Sequence, residues 1–243
     1  MARARSAGQA PVLLQAAYVL HRRPYRDSSL LLECFSREHG RLGLVARGGR
    51  GKLAGVLQPF SPLLLSWTGT GELKTLTQAE PDGYAAPLHG VALAAGFYLN
   101  ELLLRACARL DAHPAVYDAY AAALAALPGG AIEPALRRFE RDLLAALGYG
   151  LPLTHTADGA AIDPAARYDY QPERGAVPAI DGALSGAALL ALHADALDEP
   201  AHWPALKRLL RAQLAWHFGD RPLKSRALFR VLAGRKHPEP EAP

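Results

Sequence analysis

Apolar and polar residues alternate over short runs in the first eighty positions, whereas beyond about residue 87 the apolar positions recur at helical spacing. Residues 12–20, 29–36, 41–46, 63–67 and 73–77 are β-favouring runs, separated by the turn-forming stretches Arg-Pro-Tyr-Arg-Asp, Glu-His-Gly, Arg-Gly-Gly-Arg-Gly and Thr-Gly-Thr-Gly. Five such runs predict a small barrel. Further on, Leu136, Phe139, Leu143 and Leu147 fall on one helical face with Gly148 as a stop, while Arg137, Arg138 and Arg141 point elsewhere. Alanine- and leucine-rich segments at 91–110, 114–127, 186–197, 204–218 and 225–232 extend the helical pattern. The expected fold class is α+β: an N-terminal five-stranded OB-type barrel over 1–82, then a mainly helical domain over 83–235. An irregular insertion over about 149–182 interrupts the second, and 236–243 reads as a disordered tail, like the first nine residues.

Strand alternation assigns faces. In the run from Ser29, Leu30, Leu32 and Cys34 share one side, which turns Leu31, Glu33, Phe35 and Arg37 to the other. In the next run Leu42, Leu44 and Ala46 point inward, and Arg41, Val45 and Arg47 outward. An aromatic among arginines on the second and third strands of an OB barrel suits a single-stranded nucleic acid, since rings stack on bases and cations follow phosphates. Arg50 and Lys52 of the glycine-rich loop, with Arg22 and Arg23 just after the first run, extend that candidate surface.

Charge strengthens the reading. Residues 1–80 carry 11 Lys and Arg against 5 Asp and Glu, residues 81–200 carry 7 against 15, and residues 201–243 carry 9 against 3. Two basic ends flank an acidic middle, and a basic region attracts a polyanion and releases its counterions. Half of the 243 residues are hydrophobic and 21% are charged, which excludes a disordered or collagen-like chain. The longest uncharged segment is broken by Pro87, His89, Gly90 and Asn100, so no membrane span is expected, and the opening residues lack an export signal's cleavage pattern. With Cys34 and Cys107 as the only cysteines, neither a disulfide framework nor an all-cysteine zinc site is possible, and a cytoplasmic setting is expected.

Motifs for other chemistries fail. A P-loop needs glycine where Ala46 stands and Ser or Thr where Leu53 stands. His155, Asp158, Asp163 and Asp169 lack metal-ligand spacing, and no nucleophile elbow, zinc-protease helix or dinucleotide fingerprint occurs, so no cofactor, metal or catalytic residue is expected. Near the C-terminus Lys207, Arg208 and Arg211 form a basic strip opposite Leu206, Leu209, Leu210 and Leu214, followed by Trp216, Lys224 and Arg226. That combination suits an acidic peptide ending in a hydrophobic residue.

Ordered short segments resemble the bacterial RecO family of DNA repair proteins. They are Tyr18-Val-Leu-His-Arg-Arg-Pro-Tyr-Arg-Asp-Ser-Ser-Leu-Leu-Leu32, Ser36-Arg-Glu-His-Gly-Arg-Leu-Gly-Leu-Val-Ala-Arg-Gly-Gly49, Leu57-Gln-Pro-Phe60, Gly71-Glu-Leu-Lys74, Tyr98-Leu-Asn-Glu-Leu102, Asp111-Ala-His-Pro114, Arg138-Phe-Glu140, Leu147-Gly-Tyr149 and Pro222-Leu-Lys-Ser-Arg226. The resemblance implies an OB barrel joined to a helical domain, and a non-enzymatic recombination mediator of the RecFOR pathway. Such a protein binds single- and double-stranded DNA, anneals complementary strands and, with RecR, helps load RecA onto DNA covered by single-stranded DNA-binding protein. It makes that protein's acidic C-terminal tail the peptide expected on the helices. Some relatives hold zinc through four cysteines in the insertion, but residues 149–182 contain none here. The competing classes are a general OB single-strand or RNA binder on the same Phe35, Arg37, Arg41 and Arg47 surface, and an enzyme using His155 or Asp158 in the insertion.

Overall fold

The computed structural model describes residues 10–51 and 53–234. The two expected terminal tails, and Lys52, lie outside the described residues. Packing divides the chain into two compact units. One runs to Pro87 and takes in Gly96–Asp118; the other takes Leu88–Ala95 and the described residues from Ala119 on.

The first unit is built on β1 (Val12–Tyr25), β2 (Ser29–Ser36), β3 (Gly40–Ala46), β4 (Pro62–Thr68) and β5 (Leu73–Pro81), closed in the order β1-β2-β3-β5-β4 with β3 and β5 parallel. This is the OB-type barrel the alternation predicts. β1 closes it by pairing twice, with β4 over Val12–Tyr18 and with β2 over Ala17–Tyr25. A register shift between Val19 and His21 bends the strand from one partner to the other, as barrel closure requires. The strand therefore continues through Arg22, Arg23, Pro24 and Tyr25, where turn-forming composition suggests a turn. Proline is tolerated there because it stands one residue from the strand's end.

Inside lie Ala17, Val19, Leu30, Leu32, Cys34, Leu42, Leu44, Leu63, Leu65 and Trp67, and Leu57 of the β3–β4 connection plugs the interior. The helical pieces of this unit come from α1 (Gly90–Ala106) and α2 (Pro114–Ala126). Asn100, buried on α1, donates to the Leu20 carbonyl at 2.8 Å, which satisfies both groups.

The second unit contains α3 (Ile132–Ala146), α4 (Gly186–His193), α5 (Trp203–Phe218) and α6 (Ser225–Gly234), with α3 packed on α5. Residues 149–182 are more ordered than their composition suggests. They hold β6 (Arg167–Gln171) and β7 (Gly175–Pro178), and with β8 (Leu184–Ser185) these form a three-stranded sheet in the order β7-β6-β8. Its strands are too short for a period-2 signal to stand out. On α3, Leu136, Phe139 and Leu143 are buried as the spacing requires, but so is Arg137, contrary to the expectation that all three arginines avoid that side. Its guanidinium pairs at 2.8 Å with Glu140, one turn on and equally buried, so one buried charge offsets the other.

Candidate nucleic-acid interface

Cross-strand register places the predicted surface residues on the barrel. Phe35 faces Arg41 across β2 and β3, on the side opposite Leu32, Cys34, Leu42 and Leu44, so the face assignment holds. That face, however, is covered. Tyr117 of α2 packs its ring 5.9 Å from Phe35 and 5.4 Å from Tyr18, tilted by 41° and 45°, and Phe35 has no exposed surface. Phe35 therefore packs in the core of this unit and offers no ring to a base.

The arginines beside it are engaged as well. Arg41 pairs with Glu33 at 2.9 Å and donates through Nη1 to the Leu104 and Cys107 carbonyls at 2.6 and 2.7 Å. Those carbonyls lie at the end of α1, where helical partners run out and the negative end of the dipole lies. Arg109 pairs with the second oxygen of Glu33. Burial pushes the Glu33 carboxyl up, yet hydrogen bonds from Arg109 and Arg41 outweigh it and hold the group below its usual range. Arg37 grips Asp118 of α2 with Nε and Nη2 at 3.0 and 2.9 Å, and also meets Glu38 at 2.8 Å. The hydrogen bond from Arg37 holds the Asp118 carboxyl below its usual range. Arg22 points to the barrel's end, where Nη1 donates to the Ala54 and Leu57 carbonyls and holds the plug segment. Arg22 and Arg41 thus serve the barrel and its helical cover, whereas Arg37, with 41% of its side chain exposed, ties α2 to the barrel's turn while still reaching solvent. Alternation along a strand gives the face of each residue but not the element that later covers it.

Another group stays open. Arg23 faces Leu31, which faces Val45, so Arg23 lies on the outer side of β1, and Tyr25, facing Ser29, lies on the same side two residues on. At the hairpin tip Arg26 adopts φ 51° and sets its guanidinium 5.2 Å from the centre of the Tyr25 ring. The glycine-rich loop comes to the same place: the Arg50 amide donates to the Ser28 carbonyl at 3.1 Å, and its side chain to the Asp27 carbonyl at 2.8 Å. Arg47 follows Ala46, the residue facing Leu30. Arg23, Arg26, Arg47 and Arg50 are all exposed. Arg26 lies in a segment of turn-forming composition, so its nearness to Arg22-Arg23 is the one signal the sequence offers for it.

On the second unit Lys207 is paired with Glu133. Arg208, Ala212 and Trp216 follow at i, i+4 and i+8 along the exposed side of α5, with Trp216 59% exposed. Arg211 is half-buried, and its Nε has no hydrogen-bond partner among the described residues. Lys224 is exposed, and the Arg226 side chain lies outside the described residues. In the 149–182 segment His155 and Asp158 are exposed in a turn where Asp158 accepts the Thr156 hydroxyl. Among the described residues no three His, Cys, Asp or Glu side chains gather as metal ligands, and no helix is long and apolar enough to cross a membrane.

Relatives place this architecture. Residues 12–84 match the sequence model of the recombination protein O N terminal domain, and residues 88–227 that of its C terminal domain. The chain belongs to the RecO family. The DNA repair protein RecO of Alkalilimnicola ehrlichii is 52% identical over 91% of this chain and 92% of its own length. That of Methylococcus capsulatus is 48% identical over 90% and 93%, and that of Vibrio cholerae 44% over 89% and 93%. The RecO N-terminal match ends just past β5, so it encloses the whole barrel with its exposed arginines.

Proposed function

We propose that this RecO-family chain is a DNA-binding recombination mediator. It binds single- and double-stranded DNA, anneals complementary strands and, with RecR, helps load RecA onto strands covered by single-stranded DNA-binding protein. It acts in the cytoplasm and without a catalytic residue. The observation that carries this reading is the open cluster of Arg23, Arg26, Arg47 and Arg50, where hairpin tip and glycine-rich loop meet. Exposed guanidiniums release condensed counterions when they meet phosphates. The acidic tail of single-stranded DNA-binding protein docks on α5, where Arg208 and Arg211 meet its carboxylates and Trp216 its terminal hydrophobic residue.

Affinity for a single-stranded oligonucleotide and a duplex, measured over a range of salt, tests the DNA surface. Replacing Arg23, Arg26, Arg47 and Arg50 together by Ala should weaken both and flatten log K against log salt by about 0.7 units per lost contact on single strands, and about 0.9 on duplex. An unchanged slope would move the DNA elsewhere. Equal affinity for RNA with no annealing would favour a general OB-type nucleic-acid binder.

A further inference from the structure

A protein that holds unpaired strands also needs a surface for their bases, and with Phe35 buried that surface is not on the middle of β2. Resting on the DNA reading above, we propose that Tyr25 is the stacking platform for an unpaired base, on the outer face of β1 within the arginine cluster.

Three observations converge on it. Tyr25 is half-exposed and stands two residues after Arg23 on the same face of β1. Its pairing with Ser29 fixes the ring's base at the last position of the β1–β2 ladder, so the aromatic stands on a rigid element next to the tip. The Arg26 guanidinium already lies over the ring at 5.2 Å, so the ring's face can take a flat, electron-poor group.

An exposed guanidinium over a phenol is held more weakly than a stacked nucleobase. A base therefore displaces Arg26 from the Tyr25 face, and the released cation meets the phosphate of the nucleotide or covers the base's other side. Arg23 and Arg50 hold the neighbouring phosphates. In a duplex the bases are already stacked on one another, so only single strands use the ring. The same protein would then bind duplex by its arginines alone and single strands by arginines plus Tyr25, which suits a protein that pairs two strands and leaves the product.

The test compares Tyr25→Leu with Tyr25→Phe in the full chain, using a single-stranded thymidine oligonucleotide and a duplex. Tyr25→Leu should lose roughly 5- to 100-fold in single-strand affinity, keep duplex affinity, and keep the salt slope of both, because no phosphate contact is removed. Tyr25→Phe should behave like the parent. Unchanged single-strand affinity in Tyr25→Leu, or an equal loss on both ligands, would overturn the proposal. Photocrosslinking of the unmodified protein to an oligonucleotide carrying 5-iodouracil supplies a readout independent of folding in the variants. A crosslink at Tyr25 is expected, and crosslinks confined to other residues would refute the stack. The two readings fail separately: if the four-arginine variant loses binding while Tyr25→Leu does not, the DNA surface stands and the stack falls, and a parent protein that binds neither ligand removes both.

Discussion

Arg41 makes four interactions within 3.1 Å, two with Glu33 and two with carbonyls at the end of α1, which engage four of its five N–H donors. Its partner across the strands, Phe35, is equally committed through Tyr117. These residues should therefore report on stability before they report on DNA. Phe35→Ala opens a cavity in packed surroundings and should cost about 3–5 kcal/mol. Arg41→Ala strips two carbonyls of a donor and leaves the partly buried Glu33 carboxylate to Arg109 alone, at a cost on the order of 2 kcal/mol. Chemical denaturation should show both losses, while the salt slope of DNA binding by the folded fraction stays as in the parent. A flattened slope in folded Arg41→Ala would return that residue to the DNA surface. Charge and periodicity identify an arginine on an outer face, but two of the four bonds of Arg41 go to a segment more than sixty residues away.

At the scale of elements, the turn from β2 to β3 joins the barrel to the α1–α2 connection of the same unit. Gly40 has φ 64°, which favours glycine, and a Cβ there would stand 1.9 Å from the Asp111 carbonyl oxygen. The next residue's carbonyl accepts the Leu110 amide at 2.8 Å, so the two backbones run side by side. Gly40→Ala should separate them and lower the melting temperature, with faster hydrogen exchange at Leu110 than in the parent. A melting temperature within a degree of the parent's would show that the connection moves aside freely. The strands and helices themselves were largely legible: β2 is placed to the residue, and β3, β4 and α5 to within one or two. Turn composition points to a turn at Arg23–Tyr25, but pairing with β2 outweighs that local preference. The β6–β8 sheet was not legible because its strands run two to five residues, below the length at which alternation separates from chance.

For the molecule as a whole, the two basic ends read from the charge distribution fall on different compact units. We expect them to serve different ligands, DNA on the barrel's arginines and an acidic protein tail on α5. Changing Arg208 and Arg211 to Glu sets like charges against the tail, so binding of a tail peptide should fall strongly while annealing of bare DNA persists. A folded double variant that binds the peptide normally but has lost annealing would assign α5 to the DNA surface. What the sequence alone determined is what depends on local pattern: the five-strand and helix succession, the inward faces of the barrel strands, the basic ends, and the ordered motifs of the RecO family. Tertiary structure decided which cations remain available. Glu33, Asp118 and the carbonyls of Leu104 and Cys107 claim Arg41 and Arg37, whereas the hairpin tip and glycine-rich loop leave Arg23, Arg26, Arg47 and Arg50 open around Tyr25. A charge's availability depends on partners brought together by folding, and Asp118, Leu104 and Cys107 lie more than sixty residues along the chain from the arginines they hold.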